Sequence, residues 1–237
     1  MRRYYTRVCN FYYGKESKLL VGKKKTLSLN NLKEISFDHC EIISRQSKKK
    51  ISIKKIYSLP KLMRKQVNID LNNIKSKKKN FANLDFQKIP NVMGVLNLTP
   101  DSFSDGGKFN SKKKGKEHAL KMFKLGANII DVGGESTRPG SRAVSKKLEW
   151  NRIKGIIGSV SKKIPLSLDT RKSKIMEQGI KCGIKIINDV SGFSYDIRSL
   201  NILKKYKIPF VIQHSQGSPE NMQNKPYYKN ELLDIYD

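Results

Sequence analysis

Five polar side chains stand at or just past the ends of five apolar runs, where one binding site could collect them. The runs are VMGVLN (92–97), NIIDV (128–132), IPLSLD (164–169), IKIIND (184–189) and IPFVIQH (208–214), and the side chains are Asn97, Asp131, Asp169, Asn188 and His214. Because the chain has only three histidines and three cysteines, any metal site must rely on oxygen ligands. Taken singly, an Asx residue at a strand end is more often a helix cap or a turn former, and a lone His there more often a turn or core partner. Five such positions in succession favour a shared polar site.

The elements that would position these side chains alternate along the chain. Each apolar run is followed by a segment with helical spacing, and Gly126 and Gly183 stand where a glycine would end a helix. The letters GANIIDV and GIKIINDV repeat the same step from glycine to strand. Such alternation predicts a parallel sheet, either doubly wound or part of a (β/α)₈ barrel. In a barrel the carboxyl ends of the strands share one rim, so we expect the five side chains to converge there.

Two long loops follow the first two runs. The first, LTPDSFSDGG, ends in a glycine pair that permits hinge-like motion. The second, GGESTRPGS, places Thr137 and Arg138 between glycines and a proline. A guanidinium held in a fixed turn suits phosphate or carboxylate, because it can donate two parallel hydrogen bonds. Both loops are therefore predicted to contribute to the site rather than to serve as ordinary polar connections.

Composition excludes several classes of protein. The 237 residues carry 49 basic and 20 acidic side chains, for a formal charge of +29, and 37% of residues are hydrophobic. No apolar run approaches the ~20 residues of a membrane helix, and no secretory signal is present, so a cytoplasmic location is expected. The basic residues are mostly scattered lysines, which are typical of a solvated surface, so no specific nucleic-acid partner is expected.

Charge and patterning divide the chain near residue 90. Residues 1–90 hold 23 basic and 6 acidic side chains. Within them, period-two apolar spacing at 35–37, 51–53 and 67–71 predicts strands of a small β-rich or α+β module. We expect a basic N-terminal extension over 1–74, a linker over 75–90, and a barrel over 91–237 that is truncated after its fifth strand.

The motifs of the second part resemble a known family. MGVLNLTPDSFSDGG, IIDVGGESTRPGS, LSLDT, IINDVSG and HSQGSPENMQ, in this order and spacing, are similar to dihydropteroate synthases, the pterin-binding (β/α)₈ enzymes of folate synthesis. The related methyltetrahydrofolate methyltransferases share the barrel but lack the TPDSFSDGG loop. The resemblance implies a transferase that condenses 6-hydroxymethyl-7,8-dihydropterin diphosphate with 4-aminobenzoate, releases pyrophosphate and uses Mg²⁺.

The resemblance also implies roles for individual residues. Asn97 would be the asparagine associated with the metal, and Asp169 and Asn188 would hydrogen-bond the pterin ring. Thr137 and Arg138 would meet the diphosphate and help to form the aminobenzoate pocket. Asp105, on the first of two mobile loops that close over the site, would act with Arg138 in catalysis.

Part of the family's site has no counterpart in this sequence. A strand-six acid, a strand-seven lysine and an Arg-x-His ending are missing, and 147 residues follow position 90 where a complete barrel has ~250. The hypothesis is therefore a truncated or split synthase, completed by a C-terminal chain or as a homodimer. A catalytically inactive pterin-binding remnant is the alternative, followed by a nucleic-acid-binding protein built on the basic first 90 residues.

Overall fold

The computed structural model describes residues 4–88, 90–99, 112–136, 138, 141–217 and 225–237. They form two compact units, one of Met1–Lys79 with Tyr228–Asp237 and one of Asn80–Tyr227. The division at residue 79 lies within the expected linker, 75–90. Residues 228–237, which the sequence analysis placed with the barrel, belong to the first unit.

The elements follow one another in two groups, first mostly antiparallel strands and then alternating strands and helices. In chain order they are β1 (Tyr5–Tyr13), α1 (Gly14–Gly22), β2 (Leu27–Leu29), β3 (Leu32–Ile43), β4 (Lys48–Ser52), a 3₁₀ helix (Ile53–Ser58), α2 (Lys61–Lys75), β5 (Met93–Asn97), α3 (Lys112–Lys124), β6 (Ile129–Gly133), α4 (Lys146–Val160), β7 (Leu166–Asp169), α5 (Ser173–Lys181), β8 (Ile186–Asp189), α6 (Arg198–Tyr206), β9 (Phe210–Ile212) and α7 (Glu231–Tyr236).

The first unit is an α+β module rather than a purely β one. β3 pairs antiparallel with β1, β2 and β4, and α2 packs on this sheet. The prediction of a strand at 67–71 was wrong, because these residues lie in α2. Val67 and Leu71, four residues apart, share the buried face of the helix, while Ile69 between them is 46% exposed. The expected strand at 51–53 ends at Ser52, whose hydroxyl caps the 3₁₀ helix by accepting from the Lys54 N–H.

Helix α7 completes the first unit from the other end of the chain. Leu233 forms a small buried cluster with Tyr5 and Ile43. Arg45 pairs with Asp234 and, at 2.7 Å, with Asp237. An acidic, amphipathic helix is thus held by an apolar contact and an arginine of the basic module.

The second unit contains the five parallel strands that the sequence predicts. The strand order is β5-β6-β7-β8-β9, and every neighbouring pair is parallel. Helices α3 to α6 lie between successive strands, so the arrangement is that of four βα units and a fifth strand of a (β/α)₈ barrel. Gly126 (φ 110°) and Gly183 (φ 97°) follow α3 and α5 in the left-handed region, as expected for glycines that end helices.

The two faces of this sheet differ in chemistry. One face packs on the helices through a continuous apolar core, formed from the strands by Leu96, Ile130, Val132, Leu166, Leu168 and Ile187 and from α4 and α5 by Ile153, Ile156, Ile157, Ile175 and Met176. Side chains alternate along a strand, so the intervening residues point to the opposite face. That second face carries the polar residues singled out from the sequence.

The edges of the sheet remain exposed within the described part of the chain. On β5, Val95 is 58% exposed, and on β9, Phe210, Val211 and Ile212 are each more than 40% exposed. In the described residues each of these two strands pairs with a single neighbour. None of the helices in the described ranges is long and apolar enough to cross a membrane.

Close packing between α5 and β7 gives a test of this core. A Cβ added at Gly179 would overlap the Leu168 Cδ2, whereas one added at Gly158 in α4 would meet nothing within 4 Å. We expect Gly179→Ala to lower the free energy of unfolding by about 1 to 3 kcal/mol through overpacking. The matched variant Gly158→Ala should raise it by about 0.5 to 1 kcal/mol. Urea titration of both variants checks this, and an equal response at the two positions would contradict the packing of α5.

Candidate functional site

Four residues at the carboxyl end of the parallel sheet form one continuous row. The backbone register aligns Asn97 with Gly133, Gly133 with Asp169, and Asp169 with Asn188. Asn97 and Asp169 are the last residues of their strands, and Asn188 is the last but one of its strand. The row therefore brings together three of the polar residues predicted to meet at the rim.

Gly133 leaves the space between two of these side chains open. A Cβ placed on it would lie 3.2 Å from Asn97 Oδ1 and 3.4 Å from Asp169 Oδ2. Both oxygens therefore border a common point above the glycine, which a larger residue would fill. An amide oxygen and a carboxylate oxygen are hard ligands of the kind that Mg²⁺ accepts.

Asp131 lies one layer deeper than the row. The sequence analysis placed it at the end of its strand, but two further residues of β6 follow it. Asn188 Nδ2 donates to Asp131 Oδ2 over 3.1 Å. This bond spans from β8 to β6, and it passes over β7 where the small Ser167 pairs with Asp131 in register. The carboxylate of Asp131 therefore fixes the orientation of the Asn188 amide, leaving its carbonyl oxygen as the acceptor.

Burial changes the protonation of the aspartates at the site. Desolvation, followed by repulsion from Asp131 and other nearby carboxylates, raises the pKa of Asp169 to about 8. Desolvation also raises the pKa of Asp131. Asp169 Oδ1 is buried and has no hydrogen-bond partner among the described residues. Since a buried polar atom without a partner is costly, this oxygen is available to a ligand that carries a matching group.

The remaining predicted residues lie apart from this row or outside the described ranges. Asp105 and Thr137 belong to the residues that the structure does not describe. Arg138 is exposed in the loop after β6, and the Ser141 N–H donates to its carbonyl oxygen over 3.0 Å. His214 lies two residues past β9 and is exposed. Among the described residues, no cluster of three or more His, Cys, Asp or Glu side chains is arranged to bind a metal.

A buried ion cluster behind the row was not anticipated from the sequence. It consists of Glu135, Glu149, Arg171 and Lys172, all less than 7% exposed. Lys172 Nζ lies 2.9 Å from Glu135 Oε1 and 2.5 Å from Glu149 Oε2, and Arg171 Nε lies 3.0 Å from Glu135 Oε2. Burial acts to raise the pKa of Glu135, but hydrogen bonds from Arg171 and Lys172 outweigh it and hold that pKa below its usual range.

The sequence held a weak signal for this cluster. Thr170-Arg171-Lys172 follows a buried strand directly, and a charged pair at such a place is ordinarily interpreted as solvated. The acidic partners of Arg171 and Lys172 both come from the preceding βα unit, Glu135 from the loop after β6 and Glu149 from α4. Only the fold could bring these distant positions together.

Comparison with known proteins agrees with this architecture. The sequence profile of the pterin-binding enzymes matches residues 93–235. A dihydropteroate synthase of Clostridium beijerinckii is 44% identical over 146 residues, which are 61% of this chain and 52% of that protein. The chain thus spans about half the length of the curated relatives it matches.

Solved structures give the same result. A Yersinia pestis dihydropteroate synthase in complex with a sulfonamide drug superposes with a TM-score of 0.60 at 39% identity, covering 65% of this chain and 56% of that one. A Xanthomonas albilineans dihydropteroate synthase with 4-aminobenzoic acid gives a TM-score of 0.55 at 34% identity, covering 62% and 52%. With the strand order, the polar row and the sequence profile in agreement, the chain belongs to the pterin-binding enzyme family.

Proposed function

We propose that this chain provides the pterin-binding part of a dihydropteroate synthase of folate synthesis. The observation that supports this most directly is the row of Asn97, Asp169 and Asn188 on one face of the parallel sheet. The identity of 44% to a dihydropteroate synthase supports the same assignment. The reaction would join 6-hydroxymethyl-7,8-dihydropterin diphosphate to 4-aminobenzoate.

The pterin ring is proposed to bind at the carboxyl end of β7 and β8. Its aminopyrimidinone edge presents N–H donors, and Asp169 Oδ1 and the side-chain oxygen of its neighbour in register, Asn188, would be the acceptors. With a pKa of about 8, Asp169 can take up or share a proton near neutral pH. In its ionised form it would stabilise positive charge on the ring as the leaving group departs.

Leaving-group departure is proposed to depend on charge neutralisation. In the reaction the methylene C–O bond to diphosphate breaks, the aminobenzoate nitrogen forms the new C–N bond, and that nitrogen loses one proton, so no protein nucleophile is needed. Mg²⁺ is proposed to be held by Asn97, whose Oδ1 borders the open space at Gly133 together with Asp169 Oδ2, and it would neutralise the diphosphate. Thr137 and Arg138 are proposed to meet the diphosphate and the aminobenzoate, and Asp105 to act from the loop after β5.

Full activity is proposed to need further βα units. The exposed edge strands β5 and β9 and the exposed apolar residues they carry are surfaces on which additional strands can pair. A complementing C-terminal chain is the proposed partner, with a homodimer as the other arrangement. A catalytically inactive pterin-binding remnant would share the row of acceptors but lack turnover.

Calorimetry followed by a turnover assay tests these proposals. We expect the purified chain to bind the dihydropterin diphosphate in the presence of Mg²⁺, and to form dihydropteroate when a polypeptide carrying the later barrel strands of a synthase is added. Cys182→Ser, an exposed position in the same unit, should behave like the unmodified chain. Failure to bind the pterin would contradict the assignment. Robust turnover by the chain alone would contradict the need for further units, and binding with no turnover after complementation would favour the remnant.

A further inference from the structure

Four consecutive residues after Asp169 all bind side chains of neighbouring βα units. We call Thr170–Ser173 the post-β7 segment. Thr170 donates to Glu149 on α4, and Lys172 bridges Glu149 and Glu135. Ser173 donates from its backbone N–H and its hydroxyl to Asp196, in the loop after β8, over 3.2 and 2.7 Å. The post-β7 segment therefore links the loop and helix after β6 to the loop after β8.

Arg171 links the loop after β6 to the loop after β8. Its guanidinium donates to Glu135, which follows β6, from Nε at 3.0 Å and from a terminal nitrogen at 3.4 Å. The same guanidinium lies 4.1 Å from the ring centroid of Tyr195, in the loop after β8. Arg171 is only 6% exposed. A planar fork that pairs with a carboxylate while stacking on an aromatic ring is specific to arginine, because a lysine ammonium cannot do both.

Glu135 in turn closes the loop that carries Arg138. Its Oε1 accepts the Val144 N–H over 2.9 Å, so the carboxylate joins the beginning of this loop to its end. Within the loop, Ser141 donates from its hydroxyl to the Ser136 carbonyl over 2.7 Å. Arg138 lies in sequence between these bonded residues, and the carboxylate that joins Glu135 to Val144 is held by Arg171.

We propose that Arg171 is a positioning residue that fixes the loops after β6 and β8, and through Glu135 sets the affinity of the Arg138 loop for the anionic group of the substrate. This inference rests on the proposed function for the identity of that anion. The role of Arg171 as an anchor of the loop does not depend on it. Arg171 itself is buried against Glu135 and Tyr195.

Hydrogen exchange tests the anchoring without any ligand. In Arg171→Lys we expect the Val144 amide to exchange at least tenfold faster than in the unmodified chain, while the amides of β7 keep their rates. Tyr195→Phe keeps the ring and should match the unmodified chain, whereas Tyr195→Leu should speed exchange at Val144. Unchanged exchange at Val144 in Arg171→Lys would overturn the proposal, as would equally faster exchange throughout the sheet.

Two binding probes test the consequence for the anion. Calorimetry with inorganic pyrophosphate should show about tenfold weaker binding to Arg171→Lys, while the affinity for 6-hydroxymethylpterin, which has no diphosphate, should stay within twofold. Equal losses for both probes would overturn the positioning role. If the unmodified chain bound neither probe, the proposed function would fail, and the exchange rates of Val144 would still decide whether Arg171 anchors the loop.

Discussion

Asp169→Asn should raise the melting temperature at pH 8 and weaken pterin binding about 100-fold. The loss of affinity follows from replacing a carboxyl group that faces the ligand with an amide, whose NH₂ group would meet the ligand's own donors. Above pH 8, where the ionised form of Asp169 predominates, hydrogen bonds to the charged carboxylate contribute about 1.5 to 3 kcal/mol each, which corresponds to one or two factors of ten in affinity. Calorimetry with 6-hydroxymethylpterin measures this loss.

The gain in stability has a pH dependence fixed by the raised pKa. Asp169 titrates near 3.8 in the unfolded chain and at about 8 in the folded protein. A raised carboxyl pKa means that folding is favoured by the protonated form, so this contribution is complete below pH 3.8 and is lost as pH rises through 8. An amide does not ionise. The melting temperature of Asp169→Asn should therefore exceed that of the unmodified chain increasingly from pH 4 to 8. At about 1.36 kcal/mol per pKa unit, the free energy of unfolding of the unmodified chain falls relative to that of the variant by up to about 5 kcal/mol over this range, which corresponds to roughly 10 to 20 °C.

Cys182→Ser is the control for both measurements, because Cys182 is exposed in the same unit. Its melting temperature and pterin affinity should follow those of the unmodified chain at every pH. A difference between Asp169→Asn and the unmodified chain that stayed constant from pH 4 to 8 would contradict the raised pKa. Unchanged pterin affinity would mean that the ligand binds elsewhere.

Lys172→Met should destabilise the second unit by about 3 to 5 kcal/mol. Lys172 is 2% exposed and lies between two buried carboxylates, those of Glu135 and Glu149. Removing the cation leaves two buried carboxylates without the positive charge that Lys172 supplies. Removing one partner of a buried ion pair typically lowers the free energy of unfolding by about 3 to 5 kcal/mol. Urea denaturation at pH 7, followed by circular dichroism, measures the change.

A matched surface substitution separates burial from charge. Lys181→Met removes a lysine whose side chain is 61% exposed and which pairs with Glu177 at 3.3 Å. Its effect should remain within about 0.5 kcal/mol. A similar loss for both variants would contradict the special cost of the buried site. Lowering the pH through the depressed pKa of Glu135 should also remove stability from the unmodified chain, since its ionised form is the one the cluster stabilises.

The parallel sheet and its polar row could be predicted because their signals are local. Five apolar runs separated by helical segments define the βα order, and parallel strands necessarily place their carboxyl ends on one edge. Asn97, Asp169 and Asn188 therefore had to lie near one another once the strands were assigned. The depth of Asp131 could not be predicted with the same accuracy, because a strand end is uncertain by one or two residues in sequence alone.

The features that were missed depend on contacts between distant residues. Val67 and Leu71 satisfy both a strand pattern and a helix pattern over five residues, and only the packing of α2 on its sheet decides between them. The buried ion cluster requires Glu135 and Glu149, both from the β6–α4 unit, to meet Lys172 from the β7–α5 unit. Nothing in the sequence around these charged residues indicates that they will be buried, since charged residues are mostly exposed.

The first unit is built from two segments that residues 80–227 separate. During synthesis, Tyr5 and Ile43 would leave the ribosome long before Leu233, the residue that covers them. The entropic cost of closing a loop rises slowly with its length, and proteins with many contacts between distant residues fold more slowly. The basic extension would therefore remain unfinished while the βα units form, and it would be completed only when helix α7 returns to it.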